Sequence, residues 1–121
     1  MNDVQYSHNA MIDLIEIEKY ISEELASPTA AKNTLIKITK KVRLLKNFAE
    51  LGAPLSSIVD IESDYRFLVS GNYLIFYRVA GTDVLVIRVI YGGRDYLSIL
   101  FEGYESIDET VSSDRDGSLS C

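Results

Sequence analysis

The sequence predicts an α+β fold in which an N-terminal αα-hairpin packs on a three- to four-stranded antiparallel β-sheet, in the order β-α-α-β-β-β. Two observations predict it. Up to about residue 49, apolar residues recur every three or four positions, which is the period of a helix. After Pro54, the chain changes to dense runs of β-branched and aromatic residues interrupted by glycines, which is typical of strands and their turns. A chain of 121 residues has the usual length of one domain.

The first half of the chain is expected to hold a short strand and two helices. Residues 2–7 are a candidate opening strand, and Ser7 or Asn9 is suited to cap the first helix. Pro28 ends that helix and fits the first position of the second, which is expected to run to about Gly52. The positions expected to face the core are Ala10, Leu14, Ile17, Ile21 and Leu25 in the first helix and Ala31, Leu35, Ile38, Val42, Leu45 and Ala49 in the second.

The second half is expected to form three strands, over residues 65–70, 73–79 and 83–91, with two-residue turns between them. Such turns would place Arg66 opposite Tyr77 in the first hairpin. In the second hairpin they would place Arg88 opposite Ile75, so that both arginines share one face of the sheet. Residues 94–101 are compatible with either a short helix or a further strand.

Charge is distributed unevenly along the chain. Residues 1–26 carry six acids and one base, whereas residues 27–59 carry six bases and one acid. Residues 60–101 carry five acids and four bases, and residues 102–121 carry six acids and one base, which brings the total to −6. We therefore expect a nearly neutral domain over residues 1–104 and an acidic, flexible C-terminal tail over residues 105–121.

The composition excludes several classes of protein. The single cysteine, Cys121, and the single histidine, His8, leave no set of residues for a Cys/His zinc site, and no metal or other cofactor is expected. The longest apolar run, residues 73–77, is far shorter than the ~20 residues that span a bilayer. The N-terminus lacks the basic and apolar regions of a signal peptide. A cytoplasmic location without a membrane partner is expected.

Three separated segments resemble one protein family. Residues 65–79, Tyr-Arg-Phe-Leu-Val-Ser-Gly-Asn-Tyr-Leu-Ile-Phe-Tyr-Arg-Val, are similar to the central hairpin of the RelE/ParE toxin superfamily. Residues 88–96, Arg-Val-Ile-Tyr-Gly-Gly-Arg-Asp-Tyr, resemble the end of its ParE-like, plasmid-stabilisation branch, and residues 7–14, Ser-His-Asn-Ala-Met-Ile-Asp-Leu, resemble its first helix. The resemblance implies a growth-inhibiting toxin of a type II toxin–antitoxin system, free of cofactors and neutralised by a cognate antitoxin.

The superfamily has two known activities. RelE-like members cleave messenger RNA on the ribosome, whereas ParE-like members inhibit DNA gyrase. RelE-like enzymes resemble one another in an arginine, a lysine and a tyrosine whose positions here hold Leu74, Leu68 and Leu100. Arg66 and Arg94 remain as candidate catalytic residues under the endoribonuclease alternative. The missing groups favour gyrase inhibition over an enzyme, and a non-toxic, antitoxin-binding co-repressor is a third possibility.

The residues predicted to contact a target are drawn from the arginines and tyrosines of the sheet and of the segment after Gly92-Gly93. They are Arg66, Arg88, Tyr91, Arg94 and Tyr96. Each also has a structural interpretation, since sheet arginines often pair with an acid such as Asp64 or Asp95 and most sheet tyrosines pack in a core. One hairpin does not cover two apolar sheet faces, so we expect exposed apolar surface and an antitoxin segment lying along the sheet and hairpin.

Overall fold

Two helices pack on one face of a five-stranded mixed sheet in the computed structural model, which describes residues 1–101. The strands are β1 (Asp3–Tyr6), β2 (Ala53–Pro54), β3 (Arg66–Ser70), β4 (Tyr73–Ala80) and β5 (Asp83–Tyr91). The helices are α1 (His8–Lys19), α2 (Pro28–Arg43) and α3 (Tyr96–Leu100), with a π-helical turn over Tyr20–Glu24 and 3₁₀ turns over Leu44–Lys46 and Leu55–Ser57. The tail predicted over residues 105–121 lies outside the described residues.

The predicted helical hairpin on a sheet is confirmed, but the number of strands is wrong. The sheet has the order β1-β5-β4-β3-β2, with β3, β4 and β5 antiparallel as predicted. β1 adds a parallel edge beside β5, which the chain reaches only after the helical hairpin and the strands β2 to β4. β2 adds the other edge with only two residues, of which Pro54 has no N–H to donate.

The register of the central strands differs from the prediction at one point. Arg66 lies opposite Tyr77, as predicted. Arg88 lies opposite Phe76 instead of Ile75, because a bulge adds Ile87 to β5. The register therefore no longer places Arg66 and Arg88 on one face.

Both helices begin at the predicted caps. The Ser7 hydroxyl accepts a hydrogen bond from the Ala10 N–H, and the Ser27 hydroxyl accepts one from the Ala30 N–H, with Pro28 at the first helical position. Between them the chain passes through the π-helical turn and Ala26, whose φ is 51°. This irregular connection turns Leu25 outward, and its predicted place in the core is wrong because 56% of it is exposed.

α2 ends at Arg43, well before the predicted end near Gly52, because Tyr77 organises the segment that follows. The buried Tyr77 hydroxyl donates a hydrogen bond of 2.8 Å to the Ala49 carbonyl and accepts one of 2.9 Å from the Gly52 N–H. A Cβ atom on Gly52 would lie 2.5 Å from the Phe67 carbonyl oxygen. The chain around Gly52 therefore packs backbone against backbone on β3, which a continuous helix cannot do.

Apolar residues form one cluster on each face of the sheet. The cluster on the helix side is built on Ile38, Leu45, Ile75 and Tyr77. The cluster on the far side contains Leu55, Phe76 and Ile90, and it is covered by residues 55–65 and by α3, which resolves the open prediction for residues 94–101 as a short helix. Within residues 1–101, no helix is long and apolar enough to cross a membrane.

The predicted exposed apolar surface is present on the helical hairpin. The exposed side chains on α1, the π-helical turn and α2 are Met11, Ile12, Ile15, Tyr20, Leu25 and Ile36. The far face of the sheet needs less covering than expected, because α3 packs there. Where an antitoxin binds stays a prediction.

Replacing Tyr77 by phenylalanine tests the role of its hydroxyl. Tyr77→Phe is expected to lower the free energy of unfolding by about 2 kcal/mol, because it leaves the Gly52 N–H and the Ala49 carbonyl without their partner. Urea denaturation measures the change. The matched control is Tyr91→Phe, whose hydroxyl has no partner within residues 1–101 and whose effect should stay within about 0.5 kcal/mol. Equal effects of the two substitutions would contradict this role.

Candidate functional site

An open cleft of about 640 Å³ lies between the helical hairpin and the ends of β4 and β5. One wall comes from α1 and the π-helical turn, and the other comes from β4, β5 and the segment that follows β5. The polar and aromatic side chains that line the cleft are Asp13, Glu16, Tyr20, Asn72, Tyr73, Arg88, Tyr91 and Arg94. Among residues 1–101, no cluster of histidine, cysteine, aspartate and glutamate could hold a metal ion.

Asp13 and Arg88 hold the two walls together. The buried Asp13 carboxylate accepts hydrogen bonds from Arg88 Nε at 2.7 Å and from Nη2 at 2.8 Å. It accepts a third, of 2.9 Å, from the backbone N–H of Val89. This hydrogen bonding to Asp13 raises the pKa of Arg88. Arg88 is therefore tied to α1 at the bottom of the cleft, through an acid that differs from the two suggested by the sequence.

Tyrosines form the aromatic part of the cleft. The rings of Tyr73 and Tyr91 meet edge to face with centroids 5.9 Å apart. Burial, and to a lesser degree the neighbouring Tyr20 and Tyr91, raises the pKa of Tyr73. The raised pKa makes the Tyr73 hydroxyl a weaker general acid than an ordinary tyrosine, although it can still donate a hydrogen bond.

Arg94 is the exposed cation at the mouth of the cleft. Its backbone is fixed, because the Arg94 N–H donates to the Tyr91 carbonyl at 3.0 Å and the Gly92 N–H donates to the Asn72 carbonyl at 2.8 Å. A Cβ atom on Gly93 would lie 2.6 Å from the Tyr91 ring, so glycine allows this tight passage. The Arg94 guanidinium makes no hydrogen bond or ion pair with any other part of residues 1–101 and remains available to a ligand.

Two of the five predicted contact residues lie away from the cleft. Arg66 donates from Nε to the Gly52 carbonyl at 2.9 Å and from Nη2 to the Glu50 carbonyl at 3.2 Å. Tyr96 packs on Phe76 at the far face, with ring centroids 5.4 Å apart. The structure thus brings together Arg88, Tyr91 and Arg94, and their role in contacting a target stays a prediction.

Sequence reasoning overlooked Asp13 and Tyr20 as parts of the site. Asp13 lies among the apolar positions of the first helix, between Ala10 and Ile17, and a carboxylate on a core-facing stripe is the signal that could have found it. Tyr20 has no such signal, because its position in the cleft depends on the π-helical turn.

Comparison with known proteins identifies the family. Residues 4–96 match the family described as the ParE toxin of the type II toxin–antitoxin system parDE. The chain belongs to the ParE toxin family. It is accordingly a type II toxin, a class that is paired with a cognate antitoxin, and the resemblance noted in the sequence is confirmed. The match covers the α1 and β5 walls of the cleft and ends at Tyr96.

One solved structure shares the fold of this ParE toxin, and a second is similar to a lesser degree. The chromosomal ParDE toxin–antitoxin system from P. aeruginosa contains a chain with 24% identity and a TM-score of 0.63, which covers 75% of this chain and 96% of its own. YafQ from E. coli strain BL21(DE3) has 17% identity and a TM-score of 0.43, and covers 75% of this chain and 93% of its own. No curated protein sequence matches this ParE toxin.

Two ion pairs of equal length allow a test of the Asp13 anchor. Both Arg88–Asp13 and Arg78–Asp64 have an N–O distance of 2.7 Å, but the side-chain exposures are 24% and 8% in the first pair and 50% and 59% in the second. Asp13→Ala is expected to lower the free energy of unfolding by about 3 kcal/mol, because it leaves Arg88 and the Val89 N–H without their acceptor.

The control for that substitution is Asp64→Ala. Asp64→Ala breaks a solvent-exposed ion pair, so it should lower the free energy of unfolding by about 1 kcal/mol or less. Thermal or urea unfolding of the two variants measures the difference. Losses of the same size would show that Asp13 does not hold the helical hairpin to β5.

Proposed function

We propose that this ParE toxin acts in the cytoplasm by binding DNA gyrase and blocking supercoiling, without catalysing a reaction itself. One observation carries the proposal. The three leucines that stand where RelE-like enzymes have polar groups all pack in the apolar clusters: Leu68 on the helix side, and Leu74 and Leu100 on the far side. Leu68 is buried, and Leu74 and Leu100 are half-buried, so none of the three positions offers a cation or an acid to a substrate.

Metal-free cleavage of RNA depends on groups of this kind. The phosphorane transition state gains negative charge, and each missing cationic donor typically costs a factor of about 10²–10³ in rate. Arg66, the other arginine of the ribonuclease alternative, donates to the Gly52 and Glu50 carbonyls instead of lining the cleft. The chain thus lacks most of the groups that the ribonuclease alternative requires.

Arg66 and Arg94 also lie at opposite ends of the central strands. Arg66 pairs with Tyr77, whereas the segment that holds Arg94 begins after Tyr91, which pairs with Tyr73. Four residues along β4 correspond to roughly 13 Å, and Arg66 lies in β3 whereas Arg94 follows β5, on the other side of β4. This separation favours independent roles for the two arginines.

The cleft has the composition of a protein-binding surface. Tyr20, Tyr91 and Arg94 are exposed around it, beside the exposed Leu25. Tyrosine and arginine are the residue types that most often dominate binding free energy at protein interfaces. We therefore assign gyrase binding to this cleft, with Tyr91 and Arg94 as the principal contacts.

A side-by-side assay of the purified toxin tests the proposal. It should inhibit gyrase supercoiling and leave messenger RNA on programmed ribosomes uncut. Arg94→Ala and Tyr91→Ala should each weaken inhibition of gyrase by about tenfold or more, since each removes a central interface contact. The matched control is Arg78→Ala, an exposed arginine of β4 that does not line this cleft, which should inhibit like the parent protein.

Other outcomes of the assay support the alternatives. Ribosomal cleavage that disappears in Arg66→Ala or Arg94→Ala would establish the endoribonuclease in place of the gyrase inhibitor. A protein inactive in both assays that still binds its antitoxin and increases repression of its own operon would establish the co-repressor.

A further inference from the structure

The outer face of α2 is the most strongly charged surface of the described structure. Between residues 28 and 49 the chain has no acid and six bases, which is half of its twelve lysines and arginines. All six are exposed, and none forms an ion pair within residues 1–101. They are Lys32, Lys37, Lys40, Lys41, Arg43 and Lys46. These six residues are called the basic face below.

The chain leaves the described structure close to the strand that lies under α2. The Phe101 ring stacks on Tyr65 with centroids 5.5 Å apart, and Tyr65 immediately precedes β3. Of the two long helices, α2 packs on β3 whereas α1 packs on β5. Residue 102 therefore starts at the α2 side of the molecule, although on the other face of the sheet.

The following segment has the opposite charge and sufficient length. Residues 102–121 carry six acids and one base, a net charge of −5, against the six bases of the basic face. A chain of 20 residues can span at most roughly 70 Å. A helix packed on a sheet has its outer surface only roughly 15 Å from the sheet, so the segment can pass around the β3 edge and reach it.

We propose that residues 102–121 lie on the basic face of α2 in the free toxin and shield it from other anions. The acidic helix α1 repels the segment, which leaves α2 as the only strongly basic surface within residues 1–101. The exposed Asp60 and Glu62 repel it as well, and only the later acids are far enough along the chain to reach α2, so the contact is made by the acids from Asp108 to Asp116. Because the segment is covalently attached, it competes at an effective concentration of order 1 mM.

The chain's only cysteine allows a direct test of this contact. A nitroxide label on Cys121 of the full chain should broaden the amide NMR signals of residues 32–46 clearly more than those of α1, which packs beside α2. The broadening should disappear in ~1 M salt, where the screening length falls to ~3 Å. Signals of α2 that stay sharp at low salt, or broadening that is spread evenly over both helices, would overturn the proposal.

Paired variants show whether charge is the cause. In one variant the tail acids are neutralised by Glu105→Gln, Asp108→Asn, Glu109→Gln, Asp114→Asn and Asp116→Asn. In the control, which keeps the charge, the same number of serines is replaced by asparagine at Ser106, Ser112, Ser113, Ser118 and Ser120. The neutralised variant should lose the broadening of α2, and the serine variant should retain it. Broadening that survives neutralisation would overturn the proposal.

Binding of a short single-stranded DNA, used as a polyanion probe, gives a second measurement. The neutralised variant should bind the DNA about 3–10 times more tightly than the parent protein. This is the gain expected when an attached competitor is removed whose effective concentration is about 1 mM and whose own Kd for the basic face is about 100–500 µM. Lys40→Gln should reduce this gain, whereas Lys19→Gln on α1 should not. Equal affinity of the parent and the neutralised variant would show that the basic face is already free.

Discussion

The carboxylate of Asp13 is the interaction on which the arrangement of the two layers depends. β1 covers the outer edge of β5 only as far as Val86, and beyond that point the edge needs another partner. Ser7 continues the coverage through its N–H to the Val86 carbonyl and its hydroxyl to the Ile87 carbonyl, and Asp13 then accepts from Val89 and Arg88. α1 thereby replaces β1 along the strand, which fixes the helical hairpin on the sheet and creates the cleft beside it.

The same fold separates structural residues from residues that are available for binding. Three arginines of the sheet already have a partner within the described part of the chain. Arg66 donates to the Gly52 carbonyl of a loop, Arg78 forms an exposed ion pair, and Arg88 forms a buried one. Arg94 has none there, although its backbone is fixed by hydrogen bonds. Side chains that are already bonded within the protein have little to offer a ligand, so Arg94 is the arginine of this group that is available for binding.

The sequence predicted those parts of the fold that repeat a local pattern. The two helices were correct because their apolar residues repeat every three or four positions, and the central strands were correct because dense β-branched and aromatic runs between glycine turns mark strands. β2, with two residues, has no period, and the Ile87 bulge contains no glycine that would mark it. In the site, Gly92-Gly93 pointed to Arg94, and a carboxylate on the core-facing stripe was an available signal for Asp13. The position of Tyr20 depends on the π-helical turn, which no local pattern predicted.

The π-helical turn gives the cleft wall an unusual route of evolutionary change. A π-helical turn has one residue more than an α-helical turn needs, so it has the form of a single-residue insertion in a helix. Removing that residue would rotate the neighbouring side chains by about 100° about the helix axis, and Tyr20 lies at this point. Ile38 of the second helix and Leu45 of the 3₁₀ turn that follows it are both part of the helix-side core and lie outside the π-helical turn. Gain or loss of a single codon in the π-helical turn can therefore change which side chains line this wall of the cleft, while the packing of the second helix on the sheet stays intact.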